Sequence, residues 1–136
     1  MVIGRKWARN EKGQGLVEMA LVLPLLLLIL FGIIEFGRVM GAGLVVAHSA
    51  RDAARYGTVG AADSEIINRI QTKTAATLYD PADLTKLMID IARTGPVRGG
   101  DIEVDVSYAV TLYIPFISNI TENPVIVRGS SVMRLE

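Results

Sequence analysis

Residues 16–34 read Leu-Val-Glu-Met-Ala-Leu-Val-Leu-Pro-Leu-Leu-Leu-Leu-Ile-Leu-Phe-Gly-Ile-Ile, an apolar run that carries a single charge, Glu18. A helix crosses the ~30 Å hydrocarbon core of a bilayer with about 20 residues, and this run nearly fills that length. It is longer and richer in Leu and Ile than the apolar stretch of a secretory signal. The sequence therefore predicts a retained transmembrane segment over about 16–40. The alternative is cleavage at the small-residue stretch Ala47-His-Ser-Ala50, which would release a soluble secreted protein. Ahead of the run stand Arg5, Lys6, Arg9 and Lys12 against Glu11 alone. Basic residues beside a membrane helix hold that end in the cytoplasm.

The charge balance narrows the function classes. The chain of 136 residues has fourteen Lys/Arg and fourteen Asp/Glu. Residues 1–13 hold four of the former and one of the latter, so the remainder carries ten against thirteen and is mildly acidic. Nucleic-acid binding needs clustered Lys and Arg, and no nucleic-acid partner is expected. Without cysteine there is neither a disulfide nor a thiolate metal site. His48 is the only histidine, too few for zinc, and is expected on a helix surface. Gly95-Pro-Val-Arg-Gly-Gly100 lacks the lysine and the strand–helix setting of a phosphate loop. Asp101, Glu103 and Asp105 fall on one face of an expected strand and read as a solvated face rather than a calcium site. The serines have no base in a suitable setting. Catalytic residues, metal ligands and cofactors are all expected to be none, and the chain is not expected to be an enzyme.

Within the long helix four features stand out. Glu18 is an ionisable residue inside the apolar run, which costs a few kcal/mol unless it has a partner or snorkels to the headgroups. Pro24 removes a backbone donor and clashes one turn back, either tolerated or used as a helix kink. Glu35 and Arg38 follow the run at i, i+3, a spacing that pairs them on one face and marks the outer boundary. Gly37 and Gly41 form a small-xxx-small pair suited to helix packing. Beyond them Ala47, Ala50, Ala53 and Ala54 make a narrow face, and Arg51, Asp52 and Arg55 supply charge. Gly57 to Gly60 end the helix.

The stretch Gly13-Gln-Gly-Leu-Val-Glu18, the run Ala20-Leu-Val-Leu-Pro-Leu-Leu-Leu, the segment Ala47-His-Ser-Ala-Arg-Asp-Ala-Ala-Arg-Tyr-Gly57 and the tail Ser131-Val-Met-Arg-Leu-Glu136 resemble the TadE-like family of minor pilins (pseudopilins) of tight-adherence pilus systems. The resemblance is good from the leader to Gly60 and loose over the tail. The stretch between Gly60 and Gly100 matches nothing comparable. It implies a type IV pilin-like precursor cut by prepilin peptidase between Gly13 and Gln14. Glu18, fifth after the cut, would then partner the freed α-amine of Gln14 in the same or a neighbouring subunit. Cyclisation of Gln14 to pyroglutamate would remove that amine. The resemblance also implies other pilin subunits and an assembly platform as partners, in a homo- or hetero-oligomeric filament. It implies a bacterial cytoplasmic membrane location, with the amino end inside and residues 61–136 outside, and export onto a surface pilus.

After the long helix, residues 63–79 have helical spacing in Ile66, Ile67, Ile70 and Leu78, with Asp63 or Ser64 as cap. Asp80-Pro81 breaks that helix and opens a short third one with Leu84, Leu87, Met88 and Ile91 as its apolar face. Residues 101–114 alternate with period two, and residues 125–135 return as a second strand. A hairpin alone is marginal in water, so it must lie on residues 44–57 or 63–79. The expected fold is α+β and pilin-like. A leader (1–13) precedes a long helix (14–60). A domain (61–136) of one or two short helices and a C-terminal antiparallel hairpin or small sheet completes it. The expected function is a minor pilin. The alternative is a single-pass binding module, permanently anchored and never polymerised, which needs no cleavage at Gly13.

Overall fold

A computed structural model describes residues 11–78, 84–95, 99–114 and 121–135. Most of the leader and the Asp80-Pro81 break lie outside the described residues. One helix, α1 (Glu11–Thr58), takes in the apolar run, Pro24 and the alanine segment without interruption. It has 48 residues. With a rise of about 1.5 Å per residue, a helix of that length reaches about 70 Å. It ends where Thr58 Oγ donates to the Arg55 carbonyl at 2.8 Å and the Gly60 N–H to the Gly57 carbonyl at 3.1 Å. Gly60 adopts φ +86, a left-handed conformation that costs glycine nothing.

The second helix, α2 (Asp63–Thr77), packs on α1 through Ile66, Ile70 and Thr74, all buried. Its cap differs from expectation. Ala62 occupies the N-cap, and the Glu65 carboxylate reaches back to accept the Ala62 N–H at 3.3 Å. Asp63 sits in the first turn instead, where it accepts from Arg93 Nη at 2.6 Å. The same guanidinium nitrogen donates to the Ala61 carbonyl at 2.8 Å.

The expected third helix is a strand. After a 3-10 turn at Leu84–Lys86, β1 (Leu87–Thr94) pairs antiparallel with β2 (Asp101–Val110), which pairs antiparallel with β3 (Val125–Arg134) in the order β1-β2-β3. Leu87, Met88 and Ile91 fit a helical stripe, but Leu87, Ile89 and Ile91 also alternate, and a segment this short fits both periods. The sheet decides. Leu87, Ile89 and Ile91 lie opposite Tyr108, Val106 and Val104, so the alternating set closes the apolar face of β2 and gives its free edge a hydrogen-bonding partner. The β2 alternation is as expected, with Ile102, Val104, Val106, Tyr108 and Val110 buried and Asp101, Glu103 and Asp105 exposed.

The sheet lies on α1, whose buried face is Ala42, Val46, Ala50, Ala53 and Ala54. Small side chains let the layers approach closely, and two glycines carry this to its limit. A Cβ on Gly129 would meet the Ala47 Cα at 2.6 Å and the Val46 carbonyl carbon at 2.9 Å. A Cβ on Gly57 would collide with the Ile102 side chain. Ile66, Ile70 and Ile102 are fully buried, and burying a side chain of this kind contributes about 1.5–3 kcal/mol. The fold is α+β and pilin-like.

Candidate functional site on the long helix

The expected site residues fall on α1 in two groups. At its start, Gln14 Nε donates to the Glu18 carboxylate at 3.1 Å on an exposed face, one turn apart. The uncut chain thus gives Glu18 the amide side chain of the same residue whose α-amine the resemblance assigns to it. The Gly13–Gln14 bond sits in the first turn, where backbone N–H groups have no intrahelical acceptor. Glycine at 13 and 15 weakens that turn by about 1 kcal/mol each, so the bond can be presented unwound at small cost. From Leu16 to Ile34 the large apolar side chains face outward, Leu16 72% exposed and Ile33 65%. The helix is long and apolar enough to cross a membrane, with none of its apolar window buried in the chain itself.

The second group lies at the end of the apolar run. Glu35 is only 5% exposed. Its carboxylate accepts from Arg38 Nη at 2.8 Å and from the Tyr113 backbone N–H at 2.9 Å. The Arg38 guanidinium stands 4.7 Å from the centre of the Tyr113 ring, and its other Nη reaches the Thr111 carbonyl at 3.5 Å. A carboxylate buried this deeply needs a cation and a second donor, and it has both. The clamp joins the helix to the segment after β2. That segment is held on its other side by Asn123, whose side chain accepts the Leu112 N–H at 3.0 Å and donates to the Leu112 carbonyl at 3.3 Å. The spacing of Glu35 and Arg38 gave the pair. Tyr113 and Asn123 carried no such signal, because their contacts depend on where β2 stops.

Farther along, Asp52 accepts from Arg69 Nε at 2.8 Å and Lys73 Nζ at 2.6 Å, tying α1 to α2. These two hydrogen bonds, Arg69 first, hold the Asp52 carboxyl well below its ordinary value, at about 2. Arg69 also stacks 4.9 Å from the Tyr56 ring centre. Gly37 and Gly41 meet nothing within 4 Å of an added Cβ, so packing within the chain does not require glycine at either position. His48 is exposed on the helix. Among the described residues no three His, Cys, Asp or Glu come together as a metal site.

Residues 13–55 match the family model for TadE-like protein. This segment is TadE-like. The match supports membership of the TadE-like family and covers about a third of the chain, from the Gly13–Gln14 bond to the alanine face under the sheet. No curated protein and no solved structure matches the chain. The TadE-like segment thus holds both groups on α1, Gln14 with Glu18 and Glu35 with Arg38. The segment after β2 that completes the clamp lies beyond it.

Proposed function

We propose that the chain is a minor pilin of a Tad pilus, made as a membrane-anchored precursor, cut by prepilin peptidase between Gly13 and Gln14, and passed into a thin adhesive filament. The TadE-like segment supports association with a Tad pilus system. The observation that carries the finer reading is the two-part surface of α1. Its first half is an apolar sheath with no partner among the described residues, while its second half is the floor of a folded domain. Such a helix has its partners outside the chain. Lipid covers the sheath before assembly and neighbouring subunits' helices cover it afterwards, and one apolar surface serves both. Gly37 and Gly41, open in the single chain, then admit a neighbouring helix at close range. Glu18, exposed in the single chain, supplies the acceptor for an α-amine. The role is structural and not enzymatic. The amino end lies in the cytoplasm and the sheet domain outside. The size of that domain favours a minor over a very short major subunit.

The test is the sheared-surface fraction of the native host. The chain is expected there with other pilin subunits, and Glu18→Ala is expected to lower its amount at least about tenfold while the membrane level holds. Equal amounts of E18A and wild type in that fraction contradict a role for Glu18 in assembly. A chain found only in membranes supports the anchored binding module instead.

A further inference from the structure

A groove of about 320 Å³ opens beside the boundary clamp, between α1, the end of α2 and the end of β2. Its helix side is Ile34, Gly37 and Gly41, and its far wall includes Leu78 and Val110. At about 30 Å³ per water, it has room for roughly ten waters, enough for a phosphate-bearing headgroup. Its charged lining residues are Arg38 and Lys86, both basic, and no carboxylate lines it among the described residues. Glu35 binds Arg38 but lines a separate apolar cavity with Phe36 and Leu112.

The height of the groove along the helix matters as much as its charge. Residues 16–34 span about 28 Å at about 1.5 Å per residue, nearly the whole hydrocarbon core. The core boundary then falls at Ile34, and Arg38 stands about 6 Å beyond it. The interfacial layer on each face is about 5–8 Å thick, so Arg38 lies at phosphate depth. Tyr113, at the groove rim, and Phe36 are both largely exposed. They occupy the level where aromatic side chains favour the membrane–water interface. Basic pockets between transmembrane helices take acidic lipid headgroups on the cytoplasmic side of membranes, and the same attraction of phosphate to Arg and Lys applies at this level.

We propose that this groove binds an acidic phospholipid from the leaflet on the domain's side, its phosphate between Arg38 and Lys86 and its glycerol end over Gly37 and Gly41. Glycine at these two positions keeps the groove open, since the chain itself does not need them small. The inference rests on the apolar run lying in a bilayer. It requires neither cleavage nor polymerisation.

The full chain in neutral detergent, titrated with phosphatidylglycerol and read by native mass spectrometry, tests it. Gly41→Leu adds bulk on the groove wall at a position whose Cβ meets nothing within 4 Å, and Lys86→Glu reverses one charge. Gly32→Leu, outside the groove and with a Cβ that likewise meets nothing within 4 Å, is the control. The wild type and G32L are expected to retain one lipid, with G41L and K86E weakened at least about tenfold and inorganic phosphate failing to compete. Equal retention by all four chains overturns the proposal, showing lipid held by the apolar sheath alone. So does competition by inorganic phosphate, which makes the groove a free-anion site, or a second copy of the chain crosslinked into it. Flotation with phosphatidylcholine vesicles reads the anchor separately. Wild type and G41L floating alike, with lipid retention lost only in the latter, supports the groove. A wild type that does not float overturns the bilayer reading and the lipid proposal with it, whereas failure of the groove alone leaves the anchor standing.

Discussion

Gly129 and Gly41 share a residue type and have opposite reasons for it. At Gly129 the obstacle to a Cβ is the backbone of Ala47 and Val46, which cannot swing aside, while at Gly41 the space is empty. Overpacking a tight contact costs about 1–3 kcal/mol, so Gly129→Ala is expected to lower the stability of the sheet domain by about 2 kcal/mol. Gly41→Ala is expected to leave it unchanged or raise it by up to about 1 kcal/mol, the helix-propensity difference. Thermal unfolding in detergent micelles checks both, and the reverse order contradicts the packing. Glu35 is the other decisive residue. Glu35→Ala takes the carboxylate away from the partly buried Arg38 and leaves the Tyr113 N–H without its acceptor. That loss is expected to cost about 3 kcal/mol. Circular dichroism of E35A across a thermal ramp reads it, and a melting point equal to that of wild type contradicts a structural clamp. At this scale the sequence was half legible. Glu18, Glu35, Arg38, Gly37 and Gly41 could be singled out by spacing along one helix. Tyr113, Asn123 and the close approach at Gly129 depend on which strand lies over which turn, and no local pattern carries that.

The elements differ in how plainly their residues announced them. The long helix announced itself by an unbroken apolar run followed by an alanine segment, and β2 by uninterrupted alternation, and both were legible. β1 was not. Its residues satisfy a helical stripe as well as alternation, and the choice falls to the apolar edge of β2, which lies far along the chain. The pairing of α2 with α1 also depends on distant residues, on the buried Ile66 and Ile70 and on Asp52 beneath Arg69 and Lys73. All three side chains are partly exposed, so solvent screening keeps their joint contribution modest. Its pH dependence has a definite sign. The carboxyl is more acidic folded than unfolded. Its contribution is therefore complete above the ordinary carboxylate value near 3.8 and is lost as pH falls through about 2. Hydrogen exchange of α2 amides is expected to show protection falling over that window in the wild type. Asp52→Asn is expected to show lower protection at pH 6 and a smaller fall on acidification. An identical acid response in both chains contradicts this account of the α1–α2 contact.

On the scale of the whole molecule, α1 belongs to two environments. Its first part is as apolar outward as a domain core is inward, and its last part is the core of an α+β domain. The division was legible because the two halves differ in composition, Leu and Ile giving way to Ala and charge after residue 46. The sheet that covers the second half was legible as an antiparallel hairpin or small sheet, and its third strand, β1, was not. The central claim is that this helix is first an anchor and, after a cut at its first turn, a filament element. Intact-mass and N-terminal peptide mass spectrometry on chain recovered from membrane and sheared-surface fractions of the native host tests it most directly. The account predicts a chain that begins at Gln14 or its pyroglutamate, with processing blocked by Gly13→Ala. A chain that keeps Arg5 to Gly13 in active cells, or one that begins near Arg51, would contradict it.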